Sequence, residues 1–255
     1  MALLVSHRQT GFAFPEPGEA PVRPGRGGKR PGAGRKRAPG KSRPDVAHVA
    51  RPAHDPDVPV HVTMRATREV AVLRSQVVFA RIERALARAQ RQRDDFRILA
   101  FSVQEDHVHL VVEADGARAL RAGLQGLAIR VARAVNAALR RRGRVWGDRY
   151  HRRDLTRPAH VRTAMVYVLQ NGRKHGACEP GELDACSSAR LFFGWNARGE
   201  EMRRRVQPGG LVCDPPVSLP RTWLGGRGWV LRGGGPIDPY EAARAAPPRS
   251  RAPRR

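Results

Sequence analysis

Acidic residues are scarce in this chain. Only 23 Asp and Glu stand against 48 Lys and Arg over 255 residues, a formal net charge of +25. So unbalanced a chain repels itself without a polyanionic partner, and nucleic acid is the first candidate. Aromatic residues make up 5%, too few for broad base-stacking platforms of the single-strand-binding kind. Cysteine is confined to Cys178, Cys186 and Cys213, an odd number with no CxxC pair. That fits neither a disulfide framework nor a zinc knuckle, and it suits a reducing compartment. No apolar run approaches the roughly 18 residues of a spanning helix. The opening Met-Ala-Leu-Leu-Val has neither the length nor the preceding basic stretch of a secretory signal. The expected location is cytoplasmic, at the nucleoid when DNA is bound.

Glycine (26) and proline (21) are abundant, and their clustering divides the chain. Residues 1–57 read as a basic, non-globular arm. Between Pro21 and Arg43 there are nine Lys/Arg, no acid, six Gly and four Pro, a composition that cannot bury apolar surface. Its densest part holds Arg30, Arg35, Lys36 and Arg37, which suits either an arm lying in a DNA minor groove or a solvated, nonspecific phosphate binder. Residues 58–176 carry regular apolar periods and form the expected domain. Residues 177–240, with Trp195, Trp223 and Trp229 among glycine clusters, read as an extension wrapped on that domain. Residues 241–255 are an Arg/Pro/Ala-rich tail.

Within the domain, Val60, Val62 and Met64 alternate with His61, Thr63 and Arg65, the period of a strand with one apolar face. A helix is expected over roughly 70–90, with Val78, Ile82, Ala85, Leu86 and Ala89 as its stripe. The runs 98–103 and 108–113, joined by Gln104-Glu105-Asp106, form a hairpin. A long helix over 117–142 carries Leu120, Leu124, Leu127, Val131, Val135 and Ala138 on one stripe, with Arg118, Arg133 and Arg140 near the opposite side. A fourth strand is expected within 145–155, and a helix over 159–171 with Pro158 at its start. This order gives an α+β fold: a ferredoxin-like, split βαβ antiparallel sheet with helices on one face, plus one further helix bearing a tyrosine. The other face, with His61, Thr63, Arg65, His107, His109 and Glu113, is expected to stay open as a site face.

Two imidazoles, His107 and His109, leave the same side of one strand about 6.6 Å apart along the backbone. They can grip one divalent cation without ordering a loop, or they can be two half-exposed strand histidines. Tyr167 lies on the last helix with Asn171 at i+4, so phenol and amide share a face. That face can deliver an oxygen ligand and a nucleophile over the sheet, or Tyr167 can be an ordinary amphipathic packer.

The run from Ser102 to Glu113, centred on His107-Val108-His109, resembles the His-hydrophobic-His strand of the single-tyrosine IS200-like transposases. Arg144 to His151 resembles the segment that follows it, and Tyr167 to Gly176 resembles the tyrosine helix. Asn at the fourth position after the tyrosine, rather than Gln, is closest to the REP-associated branch. The resemblance implies a DNA transposase and single-strand endonuclease. Such an enzyme cleaves and rejoins single-stranded DNA beside hairpins through a 5′-phosphotyrosine link. It implies Tyr167 as nucleophile and Mg²⁺ or Mn²⁺ held by His107, His109 and Asn171. Arg118, Arg133, Arg140 and Arg149 join the arm residues as expected DNA contacts. A monomer or a homodimer fits relatives of either kind. Asp106 stands where the family often has Asn, and Gly172 where REP-associated members commonly have Pro. His61 and His151 read as structural or DNA-contact residues, and Glu113 as a solvated strand end. An RRM-like binder is the rival of another class, but it wants aromatic signatures that the central strands lack. Another HUH nuclease, of replication-initiator or relaxase type, usually carries further motifs.

Overall fold

The structure is a computed structural model that describes residues 53–206 and 214–242. Arg30, Arg35, Lys36, Arg37 and Cys213 lie outside the described residues. The elements run β1 (Val60–Arg65), α1 (Gln76–Arg91), β2 (Phe96–Val103), β3 (His107–Ala114), α2 (Ala117–Ala138), β4 (His151–Asp154), α3 (Pro158–Leu169), α4 (Asn171–Lys174), α5 (Ala197–Val206) and α6 (Trp229–Arg232). The four strands form one sheet in the order β2-β3-β1-β4, and every neighbouring pair is antiparallel. This is the ferredoxin-like βαββαβ arrangement anticipated from the element order.

The first face of the sheet is the apolar one. Val60, Val62 and Met64 of β1, Phe96, Ile98, Phe101 and Val103 of β2, and Val108, Leu110 and Val112 of β3 form one buried cluster. Val78, Ile82 and Leu86 of α1 and Leu120, Leu124, Leu127, Val131 and Val135 of α2 complete it. Each such side chain contributes about 1.5–3 kcal/mol when fully buried. The helices therefore sit where their stripes dictate. Gly123 lets α2 come down on the sheet, because a Cβ there would meet the Phe96 ring at 2.3 Å.

Three elements differ from the expected bounds. The helix expected from 70 begins at Gln76 instead, after a 3-10 turn at Arg68–Val70. The intervening chain is tied to the β2–β3 turn, where the Leu73 N–H donates to the Glu105 carbonyl. The second long helix ends at Ala138 rather than 142. Arg140 there adopts a left-handed φ of 49°, and the Arg141 N–H returns to the Asn136 carbonyl, a Schellman-type stop. The fourth strand is only His151–Asp154. Its expected first half touches the sheet through an isolated Ala66–Trp146 bridge, with the Trp146 indole N–H donating to the Ala128 carbonyl.

The second face is covered over much of its area, contrary to the open face expected. Val161, Met165 and Val168 of α3 pack with Leu99, Ala100 and Val111, joined by Trp195, Trp229 and Ile237 from the C-terminal segment. A β-bulge between Ile98 and Ala100 brings Leu99 and Ala100 into that layer. Glu113 is likewise not a solvated strand end but fully buried. Its carboxylate accepts from the Arg221 N–H at 2.8 Å, the Thr222 hydroxyl at 2.7 Å and the Arg97 guanidinium at 3.3 Å. A buried carboxylate is tolerated only with such a full set of donors, and here the donors bind the C-terminal segment to β3. Among the described residues no helix is long and apolar enough to cross a membrane.

The close approach at Gly123 gives a direct check. Gly123→Ala forces the Phe96 ring aside and is expected to lower unfolding stability by about 1–3 kcal/mol, read from the shift in denaturant midpoint at constant slope.

Candidate active site

The strand period carries His107 and His109 of β3 and His61 and Thr63 of β1 to the second face. The β1–β3 register pairs Thr63 with His109 and Arg65 with His107. The His109 Nδ1 lies 3.0 Å from the Thr63 hydroxyl and 3.2 Å from His61 Nε2. With Nδ1 so engaged, Nε2 of His109 is left buried without a partner. His107 is fixed differently. Its Nδ1 lies 2.6 Å from the Asp106 carboxylate, which also pairs with Arg65 at 3.1 Å. A carboxylate on one ring nitrogen sets the tautomer and turns the other nitrogen's lone pair outward. Asp106 thus has a defined task.

Tyr167 projects from α3 into this group. Its ring centroid lies 5.0 Å from that of His109 and 5.8 Å from that of His61, both edge-on. The Lys174 ammonium sits 5.1 Å from the phenol centroid. The His175 ring stands 5.4 Å from His107. Neither Lys174 nor His175 was singled out from the sequence, and their place seven and eight residues beyond the tyrosine was the available signal.

Asn171 does not share a continuous helix with Tyr167 as expected. α3 ends at Leu169, Gln170 leaves helical geometry (φ −111°, ψ 13°), and Asn171 opens α4. The break has two anchors. The Gln170 side-chain amide donates to the Asp238 carbonyl at 2.8 Å. Gly172 lies against the Asp184 carboxylate, which would be 2.3 Å from a Cβ at that position. Asp184 is itself held by Arg74 in two hydrogen bonds of 2.8 and 3.0 Å. This contact explains the glycine at position 172. Asn171 is fully buried, yet neither its Oδ1 nor its Nδ2 has a partner.

The electrostatics keep His109 and His61 uncharged. Burial, then the neighbouring His61, His107 and His175 rings and Lys174, hold His109 well below the ordinary histidine range. Burial and the Arg153 guanidinium bring His61 down to about 4. Burial raises the Asp106 carboxyl, but His107 and Arg65 outweigh it and hold the group below its usual value. Neutral imidazole is the form that binds metal. No three His, Cys, Asp or Glu side chains converge as a metal site among the described residues, so a donor set here needs the Asn171 carboxamide. Two imidazoles, one amide oxygen and buried polar atoms without partners fit a divalent cation of the Mn²⁺ or Mg²⁺ kind.

The expected DNA contacts divide. Arg118 and Arg133 are exposed on α2, the layer on the sheet's first face, and Arg140 follows that helix at its left-handed stop. None of the three stands on the face that carries the histidines. Arg149 is half-buried in the turn before β4. Arg153 does stand on the site face, where it pairs with His61 in the β1–β4 register, and was not anticipated. Its signal was parity: in His151–Asp154, His151 and Arg153 share the face of Thr63 and His61.

The His61 environment predicts an acid limit. Between about pH 6.5, the ordinary histidine value, and about 4, the unfolded chain binds a proton at His61 that the folded chain refuses. Stability therefore rises with pH across that window and is lost as pH falls through it. The groups facing His61 are His109 on β3, Arg153 on β4 and Tyr167 on α3. His61→Asn is expected to flatten this part of the profile of melting temperature against pH, measured in EDTA.

Residues 56–171 match the family model described as "Transposase IS200 like". No curated protein matches the chain. Among solved structures, a REP-associated tyrosine transposase bound to a REP hairpin is similar at 16% identity and a TM-score of 0.47, covering 71% of this chain and 98% of that one. A candidate transposase from Deinococcus radiodurans R1 is similar at 17% identity and a TM-score of 0.34, covering 52% and 97%. With the histidine pair, the tyrosine and the ferredoxin-like sheet in place, residues 56–171, a little under half of the chain, are similar to the IS200-like transposases.

Proposed function

We propose that this domain cleaves and rejoins single-stranded DNA beside hairpins of the REP-associated kind, with Tyr167 as nucleophile and His107, His109 and Asn171 as ligands of Mn²⁺ or Mg²⁺. The observation that carries this reading is that the Asn171 amide and the His109 Nε2 are both buried without a partner. A native fold seldom buries such atoms unpaired, because each costs about 1–3 kcal/mol. When bound, the ion would polarise the scissile phosphate as a Lewis acid.

The chain's own side chains set the rest. Asp106 fixes His107, and Thr63 with His61 fixes His109. The Tyr167 oxygen forms a bond to phosphorus as the P–O3′ bond breaks, and the phenolic proton ends on the departing 3′-hydroxyl. The 5′-phosphotyrosine is an ester like the one it replaces, so a second 3′-hydroxyl can attack it without ATP. Lys174 supplies positive charge beside the reacting ring as the phosphorane charge develops. Tyr167 packs on His109 of its own chain, which supports a site complete within one protomer.

Two experiments test this. Wild-type protein with a 5′-extended DNA hairpin and Mn²⁺ is expected to give a covalent adduct on a denaturing gel, lost in EDTA and in Tyr167→Phe. An adduct that persists in Tyr167→Phe overturns the nucleophile. No adduct on any hairpin tried favours a non-catalytic binder. Separately, Asn171→Leu removes the unpaired amide and is expected to raise metal-free stability by about 1–3 kcal/mol. It should also abolish the rise in melting temperature that Mn²⁺ gives the wild type. Lower metal-free stability in Asn171→Leu would mean that the amide already has a partner.

A further inference from the structure

A second feature of the site face is a cavity of about 230 Å³ between β4 and α3, lined by His61, Arg153, Leu155, His160, Thr163 and Ala164, with Ala159. It adjoins the active site, because His61 forms part of its wall and packs edge-on against Tyr167. Its polar lining is cationic or neutral, with no carboxylate. Arg152 on the opposite face of β4 is paired with Asp154 at 2.7 Å. Arg153 forms no ion pair among the described residues. A half-buried guanidinium without a counter-ion, facing a cavity, is an anion site in wait of its anion. The first turn of α3, which borders the cavity, holds no acidic side chain.

We propose that this cavity is a phosphodiester pocket, in which Arg153 pairs with one backbone phosphate of a DNA strand lying against Tyr167 and the His160 ring donates a hydrogen bond to it. The pocket rests on the reading of the domain as one that acts on single-stranded DNA, but not on the metal or on tyrosine chemistry. Burial, then Arg153 and Arg157, keep the His160 imidazole below its ordinary range. At neutral pH it therefore offers an N–H donor without a charge, and Arg153 supplies the pocket's charge. The distance from the nucleophile is short, since His160 precedes Tyr167 by two turns of α3 and Arg153 lies beside His61. A phosphate held here would fix the strand next to the scissile bond by position rather than by sequence.

Both arms of the test use the full chain in EDTA, so that no cleavage occurs. In the first, inorganic phosphate is titrated against histidine-ring NMR signals. The His160 signal is expected to move in the wild type and to stay in Arg153→Gln. In the second, affinity for a single-stranded oligonucleotide is measured against salt. Arg153→Gln is expected to lose about tenfold in affinity and to lower the salt slope by about 0.7, the share of one phosphate on a single strand. Arg153→Lys should keep the slope, and Arg205→Gln, an exposed residue paired with Glu201 on α5, should match the wild type. A folded Arg153→Gln with the wild-type slope and the wild-type phosphate response overturns the pocket. A wild type that takes no oligonucleotide while its His160 signal still answers phosphate upholds the pocket and overturns the DNA reading instead.

Discussion

The antiparallel register of β1 on β3 decides which atoms meet. It sets Thr63 opposite His109 and Arg65 opposite His107, and the period of two sends Val62, Met64, Val108 and Leu110 to the other side. A slip of one residue would exchange the two sets, driving imidazoles into the helical core and valines into the site. What opposes the slip is the apolar face. More than a dozen side chains of α1, α2 and the strands interlock there, and every one of them would be displaced. The chemistry on one face thus has its geometry held by hydrophobic packing on the other.

Tyr167 and Asn171 are placed by different devices. Tyr167 rides on regular helix, two residues before α3 ends, and its position follows from the packing of Val161, Met165 and Val168 on Val111 and Ala100. Asn171 lies past a break, and its neighbours are pinned by long-range contacts: Gln170 to Asp238, and Gly172 to Asp184 and through it to Arg74. The Gln170 tether spans 68 residues of sequence, and the one from Asp184 to Arg74 spans 110. They explain how a buried amide with no partner of its own keeps its place, since the strain of leaving it unsatisfied is offset by well-paired groups on either side.

Much of this was legible. The alternation in β1 and β3 gave the two faces, and the stripes at 78–89 and 120–135 gave the helices that cover one of them. The His-Val-His strand and Tyr167 pointed to the site itself. Local pattern could not show what distant chain would do. Glu113 looked like a strand end because its donors, Arg221 and Thr222, lie more than a hundred residues away. The second face looked open because the aromatics that cover it, Trp195 and Trp229, sit in a stretch without periodicity. The break at Gln170 was hidden for the same reason, as the residues that hold it belong to the segment near 184 and 238. Arg153 was overlooked in a strand too short and too charged to show its parity.

The placement of charge carries one more consequence. A net charge of +25 draws any polyanion toward the molecule, but a diffuse field cannot orient a strand. Orientation needs cations fixed relative to Tyr167, and the site face offers Arg153 beside His61, Lys174 over the phenol and Arg65 beside His107. Arg118 and Arg133 stand on the opposite layer, with the sheet between them and the histidines. A nucleic acid confined to the site would never reach them, whereas one with a stem extending past the sheet edge can meet both sets. The two-layer distribution therefore suits the substrate proposed above, a reacting single strand with a separate body held by charge and shape, as a folded hairpin provides.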